Sequence, residues 1–194
     1  MKSVSLPLAG LGRRQLLDIT LAAIFGGAVC TVASAQELAM DFSDPEVVRR
    51  LWVVNDGVMG GVSQSRFRHD AEGVNFEGEV SLRNNGGFAS LRGPVAFAAG
   101  TTALALSTQG DGKRYSLLLR MDSARGAASY QCDFDALGPQ THRFAAADFQ
   151  ATFRGRIVSA APLVFARVVE FGILIADKQE GPFVLQLRHL RALA

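Results

Sequence analysis

The chain has 194 residues, 48% of them hydrophobic and 20% charged, with two cysteines. That apolar share over about one domain's length excludes a disordered chain, and so few cysteines exclude a disulfide-built scaffold. Lys and Arg number 20 against 18 Asp and Glu, and 17 of each remain when residues 1–35 are set aside, so nothing favours non-specific nucleic-acid binding, which needs clustered cations.

At the N-terminus Arg13-Arg14 precedes an apolar run from Ile19 to Val32, interrupted by Gly26-Gly27 and followed by Ala33-Ser34-Ala35. A basic front, a short apolar stretch and a small-x-small site predict an export signal over residues 1–35, twin-arginine-like, leaving a mature chain from Gln36 in the periplasm or outside the cell. The general secretory route is the alternative for the same segment. The run falls short of the roughly 20 residues that span a bilayer, so no stable membrane span is expected in the mature chain. A lipid anchor at Cys30 is a lesser alternative, because Val29 is branched where such signals want a small residue. Cys132 is then the one cysteine of the mature chain, and the fold must hold by packing, as a monomer.

Next comes a glycine-rich stretch, Leu51 to Ser65, carrying Trp52, Asn55, Asp56, Met59, Gly60-Gly61, Ser63 and Gln64. Val74, Phe76, Gly78, Val80 and Leu82 alternate with polar residues, which predicts a half-buried strand. After the turn signal Asn84-Asn85-Gly86-Gly87, residues 102–107 read as a strand buried on both faces. Gly110-Asp111-Gly112-Lys113-Arg114-Tyr115 reads as a hairpin connection. Alternation returns at Tyr115, Leu117, Leu119 and Met121, and at Ala128, Tyr130, Cys132 and Phe134. Gly138-Pro139 reads as a turn, 162–169 as a short connector, and Phe171, Ile173, Ile175 and Phe183, Leu185, Leu187 as two further strands. Short strands broken by turns at this rhythm predict one all-β sandwich or barrel over residues 36–194.

Catalytic chemistry finds little support. His69, His142 and His189 share no ligand spacing, so no metal or other cofactor is expected. Asp133 and Asp135 lie on one strand's polar face rather than across a cleft, and Cys132 belongs to an apolar set. No catalytic residue is assigned and the chain is expected not to be an enzyme.

The segments WVVNDGVMGGVSQS and NNGGFASLR, followed in order by GDGKRY, FQATFRGR and GPFVLQLRHLRA, resemble the complex I intermediate-associated protein 30 family over nearly all of residues 42–192. The resemblance implies a jelly-roll β-sandwich of the galactose-binding-domain type. It also implies a non-catalytic assembly or chaperone-like factor, since the mitochondrial members hold membrane-arm intermediates of respiratory complex I. Two features depart from the family: His142-Arg143-Phe144 stands where an aromatic residue, often tryptophan, is usual, and the export signal separates this chain from that partner.

The leading expectation is therefore a protein-binding assembly factor, with a carbohydrate-binding module of the cell envelope as the alternative. The candidate partner or ligand surface comprises Asn55, Asp56, Met59, Ser63 and Gln64 with Asn84, Asn85, Arg92, Asp111 and Tyr115. Turn-forming roles for Asn55 and Asp56, and a core or rim role for Trp52, are the structural alternatives.

Overall fold

The computed structural model describes residues 36–122, 124 and 126–194, with Val58 described for its backbone only. The expected export signal over residues 1–35, with Cys30, lies outside the described residues. Among the described residues eleven strands form antiparallel pairs: β1 (Gln36–Asp41), β2 (Trp52–Asn55), β3 (Gln64–Asp70), β4 (Gly73–Val80), β5 (Ala89–Pro94), β6 (Ala103–Arg120), β7 (Ser129–Ala145), β8 (Gln150–Phe153), β9 (Arg156–Ile157), β10 (Glu170–Ile175) and β11 (Gly181–Leu193). A one-turn helix α1 (Pro45–Val48) starts where the Asp44 side chain accepts the Glu46 N–H at 2.8 Å, with proline in the first turn.

The hydrogen-bonded order β2-β5-β10-β6-β11-β4-β3 curls into a sandwich, because β6 and β7 each run through both layers. Residues 103–110 of β6 pair with β11, whereas residues 116–120 pair with β10 on the same edge. The opposite edge of β6 pairs with β7 throughout, interrupted by one bulge between Asp111 and Arg114. One layer is β3-β4-β11 with the first part of β6, and the other is β2-β5-β10 with its second part, extended through β7 to β8 and β9. β1 continues the first layer along the far end of β11.

Here the hairpin expected at residues 110–115 and the turn expected at Gly138-Pro139 are corrected: both lie inside long strands, at the corner where the chain passes between layers. The positive-φ chemistry is spent on the bend instead, at Gly112 (φ 88°) and Gly138 (φ 64°). Gly110 has a different reason, since a Cβ there would lie 2.4 Å from both the Cβ and the carbonyl oxygen of Ala136. Residues 102–107 also differ from expectation. Leu104 and Leu106 are buried while Ala105 and Ser107 are half-exposed, because the outer face of that layer is uncovered and Ser107 Oγ instead meets Thr141 Oγ1 at 3.0 Å.

The inward faces carry the expected alternating sets, and burying each such Leu, Ile or Phe contributes about 1.5–3 kcal/mol. Aromatic contacts tie the layers: Phe42 to Phe171 at 5.6 Å between ring centroids, and Tyr115 to Phe183 at 6.5 Å. His142 packs within this cluster, 4.6 Å from Phe134, with its Nε2 3.1 Å from Thr108 Oγ1. Burial pushes its imidazole below the ordinary histidine value.

Candidate functional site

The stretch following β2 is built around one carboxylate. Asp56 begins a 3-10 turn (Asp56–Met59) that ends at Gly60 in the left-handed region, φ 90°. Its side chain, 1% exposed, turns inward between two loops. Oδ1 accepts the Ser63 N–H at 3.0 Å, while Oδ2 accepts the Ser63 hydroxyl, the Gly87 N–H at 2.6 Å and the Phe88 N–H at 3.4 Å. The glycines are steric requirements of this arrangement: a Cβ on Gly61 would lie 2.3 Å from Asp56 Cγ, and one on Gly86 would lie 2.5 Å from Asp56 Oδ2. Burial alone would raise the Asp56 carboxyl, but the hydrogen bonds from Ser63, Gly87 and Phe88 outweigh it and hold the group below the usual carboxylate range. Ser63 extends the network, its Oγ accepting the Ser81 N–H at 2.9 Å.

This core of hydrogen bonds holds the loops 56–63 and 81–88 together and decides what each presents. Met59 is 65% exposed, and Val62, three residues further on, is also exposed. Asn84 and Asn85 are exposed in the left-handed region at φ 56° and 58°. Asn55 ends β2 with its Oδ1 accepting the Ser65 hydroxyl at 2.6 Å.

The ten sequence-derived candidates therefore divide. Asn55, Asp56, Met59, Ser63, Asn84 and Asn85 belong to the paired loops, with the buried Asp56 and Ser63 supporting the exposed Met59, Asn84 and Asn85. Gln64 and Asp111 line a cleft of about 780 Å³ on the outer face of the β3-β4-β11 layer, where Glu77 is held by Arg66 at 2.8 Å and Arg68 at 2.7 Å. Tyr115 lies in the core, 1% exposed, and its hydroxyl donates to the Asp111 carboxylate at 3.1 Å. Burial and that neighbouring carboxylate push its phenol above the ordinary value. Asp111 also accepts the Val184 N–H at 2.8 Å, joining the corner of β6 to β11.

Arg92 stands apart from both groups, on the outer face of the β2-β5-β10 layer. Its Nη1 lies 3.4 Å from Glu170 Oε1, and Arg120 Nη1 lies 3.7 Å from Glu170 Oε2. Burial pushes the Arg92 guanidinium down, Glu170 opposes this, and the like charge of Arg120 adds to it. Glu170 and Arg120 were not singled out from sequence. Each occupies the polar phase of an otherwise apolar strand, which is the signal that marked them, but 78 residues separate Arg92 from Glu170 and only the sheet register brings them together. Beside this trio Trp52, 41% exposed, pairs across the sheet with Arg92.

Among the described residues no three His, Cys, Asp or Glu side chains come together as metal ligands, and no helix is long and apolar enough to cross a membrane. Asp133 accepts the Ser116 hydroxyl at 2.7 Å and Asp135 meets Arg114 at 3.1 Å, both on the outer face.

Among solved structures the chain is similar to the family 11 carbohydrate-binding module from Clostridium thermocellum in complex with a β-1,3-1,4-mixed-linked tetrasaccharide (TM-score 0.59, 11% identity, covering 84% of this chain and 97% of that one). It is similar to the same degree to the family 11 module of a cellulosomal cellulase of that organism (TM-score 0.59, 11% identity, 84% and 96% covered). At that identity the likeness shows the fold, a jelly-roll sandwich of the galactose-binding type. No curated protein matches the chain by sequence. The model of the complex I intermediate-associated protein 30 family matches residues 40–187, and the chain belongs to that family.

Proposed function

We propose that this protein is a non-catalytic binding factor that engages a partner protein through the paired loops held by Asp56. The observation that carries the reading is Met59, an adaptable apolar side chain 65% exposed on a loop whose backbone is fixed by a buried carboxylate. A pre-ordered loop loses little conformational entropy on binding, and methionine adapts to irregular apolar surfaces. Family membership supports an assembly-type role, and the export signal read in residues 1–35 moves that role outside the cytoplasm. The partner is then an envelope or secreted protein.

A photo-reactive amino acid at position 59 tests this in the native compartment. The expected result is one cross-linked protein species that is absent when the same group replaces Ile157, itself exposed but on β9 at the opposite edge of that layer from β2. Equal labelling from both positions contradicts it.

The second reading, a saccharide-binding module, is favoured by a separate observation: the exposed Trp52 beside a walled cleft. The similarity in fold to a module solved in complex with a tetrasaccharide supports it.

A further inference from the structure

At the end of the β2-β5-β10 layer lies a cleft of about 410 Å³, within the range of small-ligand sites, bordered by Trp52, Pro94, Met121, Asp122, Val169 and Glu170. Trp52 sits on the outer face of the edge strand β2, where a large aromatic ring gains little by packing yet keeps 41% of its surface in solvent. Glu170 contributes the opposite kind of wall. It is largely buried on an outer face, each of its oxygens faced by a different guanidinium, from Arg92 and Arg120. Arg120 is fixed in turn by its Nη2, which donates to the Ala124 carbonyl at 2.9 Å.

Two details behind this wall go beyond what the fold requires. Arg120 Nε is buried without a hydrogen-bond partner, a donor whose desolvation nothing within the protein offsets. Gly172 lies between Arg92 and Leu118 across the sheet, and a Cβ there would stand 3.3 Å from Arg92 Cγ, so glycine lets the Arg92 stem lie close against the strand. The cleft thus sets an apolar aromatic surface beside two fixed carboxylate acceptors, Asp122 and Glu170. Of its two lining carboxylates, Glu170 is already compensated by the guanidiniums of Arg92 and Arg120 behind it, and Asp122 accepts the Ala124 N–H at 2.7 Å. An anionic ligand would be repelled by these carboxylates, whereas a ring with one apolar face and donating hydroxyls matches them.

We propose that the cleft bounded by Trp52, Asp122 and Glu170 binds an uncharged saccharide, a pyranose ring stacking on Trp52 with its hydroxyls donating to the carboxylates of Asp122 and Glu170. This inference rests on the saccharide-binding reading and assigns it a site and a ligand class.

Trp52 is the sole tryptophan of the chain, so its fluorescence reports on this cleft alone. The full mature chain is titrated with mixed-linked β-1,3-1,4-glucotetraose and with cellotetraose, using tri-galacturonate as an acidic counterpart, up to about 10 mM, the range of weak single-site binding. The expected result is a saturable change in emission with a neutral oligosaccharide and a thermal stabilisation at the same concentrations. Trp52→Ala, read by melting temperature, loses that stabilisation; Asp122→Asn, read by fluorescence, weakens binding about tenfold. Stabilisation by a neutral sugar with unchanged emission, and intact in Trp52→Ala, overturns the site but leaves the saccharide reading standing. No response to either neutral sugar overturns both. Binding of tri-galacturonate alone overturns the uncharged ligand.

Discussion

The carboxylate of Asp56 accepts the backbone N–H of Gly87 at 2.6 Å, joining two loops 31 residues apart in the chain. Replacing Asp56 by Ala leaves the N–H groups of Ser63, Gly87 and Phe88 without their acceptor in a buried place. Each orphaned donor costs about 1–3 kcal/mol, so a loss of about 3 kcal/mol or more is expected in urea unfolding. Asp56→Asn keeps the shape but turns an amide NH₂ toward one set of donors, and is expected to recover only part of the loss.

The same contact sets a pH dependence. Hydrogen bonds lower the folded-state pKa of Asp56, and those of Asp41, led by the Ser43 hydroxyl, lower it there too, while the unfolded chain titrates near the ordinary aspartate value of 3.8. The unfolded state therefore binds protons first as pH falls. The stabilisation is fully present above the unfolded value and is lost as pH drops below about 4 toward the folded values. Melting temperature should fall gently below about pH 6.5, where the unfolded chain protonates His142 first, and more steeply below about 4, this second fall being shallower in Asp56→Asn than in the parent.

Gly110→Ala should destabilise by about 1–3 kcal/mol, since the added methyl meets Ala136 at the corner between the layers. Gly57→Ala, where a Cβ meets nothing within 4 Å, should stay within about 0.5 kcal/mol. Equal effects at the two positions would remove the corner's steric requirement.

Cys132 is the one cysteine among the described residues, and burial pushes its thiol up to about 11. Native protein at neutral pH should react slowly with iodoacetamide and quickly in denaturant. Melting of the mature monomer should be the same with and without reductant.

Period-two alternation made the strands of the core readable from residues such as Phe171, Ile173 and Ile175, because inward apolar side chains repeat locally. Gly110 and Gly138 misled, because a glycine that permits a bend inside a long strand carries the same local signature as one that ends a hairpin. The glycine-rich loop was visible as unusual composition, yet the inward turn of Asp56 depends on donors from the distant loop at Gly87 and Phe88. Glu170 and Arg120 were hidden for the same reason, their partnership being a matter of register between strands far apart in the chain. Tyr115 carries a polar tip that suited a surface, but its alternation with Leu117 and Leu119 already placed it in the core.

The most direct test of the binding assignment is cross-linked partner yield measured beside melting temperature for Met59→Ala and for the parent. Met59 supports no hydrogen bond of the Asp56 network, so stability should stay within about 0.5 kcal/mol of the parent, as for surface substitutions, while capture falls several-fold. Undiminished capture at unchanged stability would contradict the account and leave the loop as a device that only closes one end of the sandwich.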